Sequence, residues 1–93
     1  MKLKNRIAII TGGGKGIGAE LSLKLASEGA KIIIAEMDVP NGEITAKKIR
    51  ENNGEAIVIK TNVADEDSVN NMANEAINVF GKIDILINNA GTR

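Results

Sequence analysis

Apolar residues along the chain fall into two alternating rhythms. Four short runs, Ile7 to Ile10, Ile32 to Ala35, Ala56 to Ile59 and Ile83 to Ile87, are rich in β-branched residues and lack polar alternation. That pattern predicts buried strands of a parallel sheet, covered on both faces. Segments of helical period separate them. From Gly18 to Glu28, Leu21, Leu25 and the small Ala26 share one face, and Gly29 follows where a helix C-terminal glycine is expected. Pro40 to Asn53 carries Ile44, Lys47, Lys48 and Ile49, with Pro40 near the first turn and Gly54 just past the end. A third helix, about Asp65 to Phe80, repeats Val69, Ala73, Ala76, Ile77 and Phe80 at three- and four-residue steps, opens on Asp65-Glu66-Asp67 and stops at Gly81. The order is β-α-β-α-β-α-β, which predicts a parallel sheet wound with right-handed crossovers. No linker or low-complexity tract interrupts it, so residues 1–93 are expected to form a single domain.

Between the first strand and the first helix lies Thr11-Gly-Gly-Gly-Lys-Gly-Ile-Gly18. At such a junction a phosphate can meet unpaired backbone N–H groups and the positive end of the helix dipole, and side chains would block the approach. Gly12 permits the tight turn out of the strand, Gly16 lets the backbone close on a pyrophosphate, and Gly18 lets the helix pack against the strand. The spacing Gly12-x-x-x-Gly16-x-Gly18 lacks the Lys-Ser/Thr ending of a P-loop, which argues against a Walker-type ATPase. The competing reading is a glycine-rich turn without a ligand. A second sign weighs against it: Glu36 ends the second strand about 20 positions past the loop, where a carboxylate can accept hydrogen bonds from adenosine ribose hydroxyls. Its bland alternative is a solvated strand end. Asp38 reads as a cap or turn residue ahead of Pro40.

Composition narrows the chemistry. Lys and Arg total 12 against 12 Asp and Glu, so no net field recruits nucleic acid or an anionic membrane. Lys2, Lys4 and Arg6 cluster near the start, but the apolar run behind them breaks at Thr11-Gly12, too short for a signal-peptide core or a membrane span. A cytoplasmic protein is the default expectation. The chain has no Cys and no His, which removes disulfides, thiolate nucleophiles and the commonest metal ligand and general base. No metal site is expected. One Phe and no Trp or Tyr leave little to stack on bases.

Together, Thr11-Gly-x-x-x-Gly-x-Gly18, the acidic end of the second strand and Asp84-Ile-Leu-Ile-Asn-Asn-Ala-Gly91 resemble the short-chain dehydrogenase/reductase family over the whole chain. The resemblance implies the first half of a Rossmann-type doubly wound sheet, strand order 3-2-1-4, without its C-terminal half. It implies a nicotinamide dinucleotide as cofactor, with Gly12, Lys15, Gly16, Ile17 and Gly18 on its pyrophosphate and ribose side. Asn62 would reach the adenine amino group and Val63 pack on the ring; Asn62 stands where many relatives have Asp. Asn88 would contact the nicotinamide-side ribose, Asn89 tie neighbouring strands, and Ala90 with Gly91 keep the floor of the site flat. Glu36 opposes the 2′-phosphate of NADP by about 1 to 4 kcal/mol, while Lys15 occupies a slot where NADP-using relatives often carry a base. NAD is favoured.

In this family hydride passes between nicotinamide and an alcohol or carbonyl, and a Ser with a Tyr-x-x-x-Lys pair relays the proton. The chain has no Tyr, and Ser22, Ser27 and Ser68 fall within expected helices. The resemblance therefore implies the cofactor-binding N-terminal part of a longer oxidoreductase, inactive alone, with no catalytic residue of its own and homo-oligomeric in the full-length form. A stand-alone, non-catalytic nucleotide-binding module is the alternative. In the 3-2-1-4 order the fourth strand becomes an edge, and Ile83, Ile85, Leu86 and Ile87 are expected to be exposed there.

Overall fold

A computed structural model describes residues 2–12 and 14–89. Its elements run β1 (Ile7–Thr11), α1 (Gly16–Ser27), β2 (Lys31–Glu36), α2 (Val39–Glu51), β3 (Ala56–Lys60), α3 (Glu66–Phe80) and β4 (Ile85–Asn88). The strands form one sheet of order β3-β2-β1-β4, every neighbouring pair parallel. This is the doubly wound, Rossmann-type order expected. Ile9 sits opposite Ile33 on one side and Leu86 on the other, and Ile33 opposite Ile57.

Side chains alternate across the sheet and build two cores. On one face Ala8, Ile10, Ile32 and Ile34 pack with Ala46 and Ile49 of α2 and with Leu23, Leu25 and Ala26 of α1. On the other, Ile7, Ile9, Ile33, Ala35 and Ile59 pack with Met72 and Ala76 of α3, flanked by Val69 and Phe80. Helices on both faces explain why β1 and β2 read as unbroken apolar runs, and every residue of β1 is buried.

The helices sit within two residues of their expected bounds, but their buried faces differ. The residues that α1 buries completely are Gly18 and Ser22, because the helix lies so close to the sheet that small residues occupy the contact. Leu21 is half-buried. In α3 the buried line is Met72 and Ala76, with Val69 and Phe80 packed at its ends, whereas Ile77 is 47% exposed. Steps of four from Ala73 to Ile77 drift off the line that steps of 69, 72, 76 and 80 keep on the sheet. Gly81, left-handed at φ 86, ends α3 and returns its N–H to the Ile77 carbonyl at 2.7 Å.

The expected exposure of β4 is narrower than its sequence suggests. Ile85 and Ile87 join the core under α1, and Ile83 the core under α3. Only Leu86 of the four is largely exposed, at 62%: it faces the α3 side, where that helix covers β1 to β3 and stops short of β4.

Candidate functional site

Every strand runs the same way, so their C-terminal ends share one edge of the sheet. The chain leaves β1 toward β2 and β3 and later crosses back to β4 on the far side of β1, which makes the end of β1 a switch point. In open α/β sheets a ligand crevice forms there.

The glycine loop occupies that point. Gly12, at φ 66, extends the sheet by one rung through its N–H to the Ala35 carbonyl at 2.9 Å. Gly16 has φ +52, where a side chain is strained, and a Cβ placed on it would meet nothing within 4 Å. Gly18 shows the opposite need: a Cβ there would lie 2.1 Å from the Gly12 carbonyl oxygen. Lys15 is the N-cap of α1 in extended conformation, and its side chain makes no capping hydrogen bond. No acidic residue occupies its first turn, and Lys15, Gly16 and Ile17 are exposed. The start of α1 thus lies at the surface as far as Ile17, with open space in front of Gly16.

Glu36 is not a free strand end. Its Oε1 accepts the Gly14 N–H at 3.1 Å and its Oε2 the Asp38 N–H at 3.2 Å. Asp38 caps α2 as expected, its Oδ1 accepting the Asn41 N–H at 3.3 Å. Past β3, the Thr61 N–H reaches the Glu36 carbonyl at 3.1 Å and carries the chain across to Asn62. Asn62 turns its amide oxygen on the Ala64 N–H at 3.0 Å, and its own N–H donates to Ser68 Oγ at 2.9 Å. One acceptor site remains on that amide oxygen. Val63 is 40% exposed and lines, with Thr11, Val69, Met72, Leu86 and Asn88, a hollow of about 210 Å³ on the α3 side of the switch point.

Between β1 and β4, Thr11 is the hub. Its hydroxyl accepts the Asn89 N–H at 2.8 Å and lies 3.2 Å from Asn88 Oδ1 and 3.4 Å from the Ile87 carbonyl. Asn89 Nδ2 donates to the Gly12 carbonyl at 3.4 Å, so this residue ties the strand ends together as expected. Ala90 and Gly91 lie outside the described residues. Asp84 works at the other end of the sheet. Its carboxylate accepts the Ile7 N–H at 2.9 Å and pairs with Lys82 at 3.1 Å and Arg6 at 3.5 Å. That amide and the Lys82 ammonium hold the carboxyl below its ordinary value.

The structure therefore gathers Gly12, Lys15, Gly16, Ile17, Gly18, Glu36, Asn62, Val63 and Asn88 on one edge. Two further residues belong there without having been singled out. Thr11 reads in the sequence as the residue that ends the first apolar run and opens the glycine motif, and its buried hydroxyl signals nothing until β4 is placed beside it. Gly14, one glycine among five, is distinguished only by the approach of α2.

The profile of the short chain dehydrogenase family matches residues 6–93. The chain belongs to that family. An uncharacterized oxidoreductase of Thermotoga maritima is 41% identical over 88 residues, 95% of this chain and 34% of the relative. A 7α-hydroxysteroid dehydrogenase solved with NADH and 7-oxo glycochenodeoxycholic acid superposes with a TM-score of 0.95 at 33% identity, covering 98% of this chain and 36% of that one. A metagenomic short-chain oxidoreductase in complex with NADP superposes at 0.94 with 30% identity, covering 99% and 42%. The chain spans about a third of the length of the relatives it matches.

Proposed function

We propose that the chain binds a nicotinamide dinucleotide as the cofactor-binding part of an oxidoreductase that transfers hydride between that cofactor and an alcohol or carbonyl substrate. The observation that carries this reading is the uncapped start of α1 at the switch point, open in front of Gly16, with the Glu36 carboxylate beside the same loop. An anion is stabilised by such a helix start, and a carboxylate accepts from sugar hydroxyls. The relatives solved with NADH and with NADP support the cofactor class.

In this reading Gly12, Lys15, Gly16, Ile17 and Gly18 hold the pyrophosphate side, and Glu36 the adenosine ribose. Asn62 and Val63 take the adenine, and Asn88 the second ribose. The dinucleotide supplies the hydride chemistry; these residues bind and orient it. Glu36 favours NAD, since a 2′-phosphate beside its carboxylate is repelled by about 1 to 4 kcal/mol. With no Tyr to relay a proton, the 93 residues alone are expected to turn over no alcohol or ketone.

Calorimetric titration of the monodisperse chain with NAD and, separately, NADP tests the proposal. Saturable binding is expected, with NAD tighter by about fivefold or more. A folded chain that binds neither overturns it.

A further inference from the structure

The phosphate loop is stacked on α2, and two glycines allow it. A Cβ on Gly14 would lie 2.8 Å from the backbone nitrogen of Gly42 and 2.9 Å from the carbonyl carbon of Asn41, atoms that cannot swing aside, and 2.9 Å from Glu36 Oε1. Gly42 is stacked in turn on the sheet: a Cβ on it would lie 2.9 Å from Val58 Cγ1 and 3.4 Å from Ile34 Cγ2. The glycine loop thus rests directly on the backbone of the first turn of α2, and that turn rests on the Val58 and Ile34 side chains of the sheet. The Glu36 carboxylate lies between them, one oxygen on the Gly14 N–H and the other on the Asp38 N–H at the start of α2.

This arrangement restricts Glu36. A carboxylate on an ordinary strand end rotates freely and can swing away from a second negative charge. One tied through both oxygens gives up two hydrogen bonds when it moves. Each oxygen still keeps an acceptor site for a sugar hydroxyl.

We propose that Gly14 and Gly42 are positioning residues: by stacking the loop on α2 they hold the Glu36 carboxylate in one orientation, and that orientation sets the preference for an adenosine ribose with a free 2′-hydroxyl over one with a 2′-phosphate. The inference rests on the dinucleotide reading above. It extends the specificity element from one acidic side chain to two residues without side chains, one of them on α2.

Dissociation constants for NAD and NADP are measured for the wild-type chain, Gly42→Ala, Gly14→Ala, Glu36→Gln and the Gly42→Ala/Glu36→Gln double variant. Gly42→Ala is expected to weaken NAD about threefold to tenfold, the range of one compromised hydrogen bond, and to leave NADP unchanged or tighter. On the Glu36→Gln background the same substitution should leave the NAD to NADP ratio unmoved. Equal losses for the two dinucleotides, or the same contraction of the ratio without the carboxylate, overturn the proposal. If Gly14→Ala does not fold, Gly42→Ala carries the test, because its methyl meets the ends of Val58 and Ile34 side chains, which can give way.

A second readout needs no cofactor. The Gly14 amide proton, followed by NMR hydrogen exchange, should lose protection in Glu36→Gln and in Gly42→Ala. Unchanged exchange in both variants overturns the clamp. A wild-type chain that binds neither dinucleotide refutes the functional reading, and with it the ribose assignment, even where the amide behaves as expected.

Discussion

Asp84 shows how one side chain can complete a sheet. Its backbone N–H donates to the Ile7 carbonyl at 2.9 Å while its carboxylate accepts the Ile7 N–H, so Asp84 satisfies both polar groups of the residue that opens β1. The carboxyl is held below its ordinary value first by that N–H and then by Lys82, with Arg6 adding to the effect. A carboxyl whose folded-state value is depressed releases its proton more readily in the folded chain. Its contribution to stability is therefore complete above the unfolded value, near pH 4, and is lost as pH falls through the lower folded value. Asp84→Asn is expected to lower the urea midpoint at pH 7 and to flatten the fall of stability below pH 4, read by urea unfolding across that range. An unchanged acid limb would show that other carboxylates govern it. The role was hidden in the sequence, where Asp84 reads as the opening of a strand motif; what it does depends on Ile7, 77 positions away.

At the scale of elements, the three helices start differently. Asp38 caps α2, and Asp65 caps α3 by accepting the Asp67 and Ser68 N–H groups at 3.0 and 3.4 Å, with Glu66 and Asp67 in the first turn. Only α1, the helix at the switch point, has a cationic N-cap and no acidic residue in its first turn. A helix start left without an anion of its own suits an anion from outside. Lys15→Asp should therefore separate stability from binding. The extended backbone at position 15 suits a capping carboxylate, which is expected to raise stability by about 0.5 to 2 kcal/mol in urea unfolding. The same carboxylate would weaken NAD and NADP alike by about tenfold in calorimetry, since it takes the amides proposed for the pyrophosphate. A stabilised variant with undiminished affinity would place the pyrophosphate elsewhere. These element boundaries were legible because the apolar period changes at each junction and Gly29, Pro40, Asp65 and Gly81 punctuate the changes. The faces were less so. Period alone cannot tell that Met72 rather than Ile77 meets the sheet, or that α1 approaches closely enough to need Gly18 and Ser22 at the contact. Gly14 was illegible for the same reason, since its need comes from Asn41 and Gly42 on a helix that the loop does not adjoin in sequence.

For the whole molecule, strand order is the feature that local pattern could not supply; the glycine loop and the Asn88-Asn89 segment carried it through family resemblance. The order leaves two edges that differ in character. At β3, Arg50 Nε donates to the Ala56 carbonyl at 3.0 Å, and Lys60 stands exposed at the strand end, both features that discourage another strand from pairing. At β4, among the described residues, β1 is the one sheet neighbour, and Leu86 presents a large apolar side chain beside the open edge. Two copies can satisfy these strands by pairing β4 with β4 across a two-fold axis, which also covers both Leu86 side chains. Each covered leucine contributes about 1.5 to 3 kcal/mol. The chain is therefore expected to show concentration-dependent association in sedimentation velocity, and Leu86→Lys to shift it toward monomer while leaving the urea midpoint of the monomer unchanged, because Leu86 is already largely exposed. If wild type sediments as a monomer at all concentrations, the β4 edge does not self-pair. If Leu86→Lys remains associated, the contact lies elsewhere, and the exposed Ile77 and Val79 on α3 become the surface to substitute next.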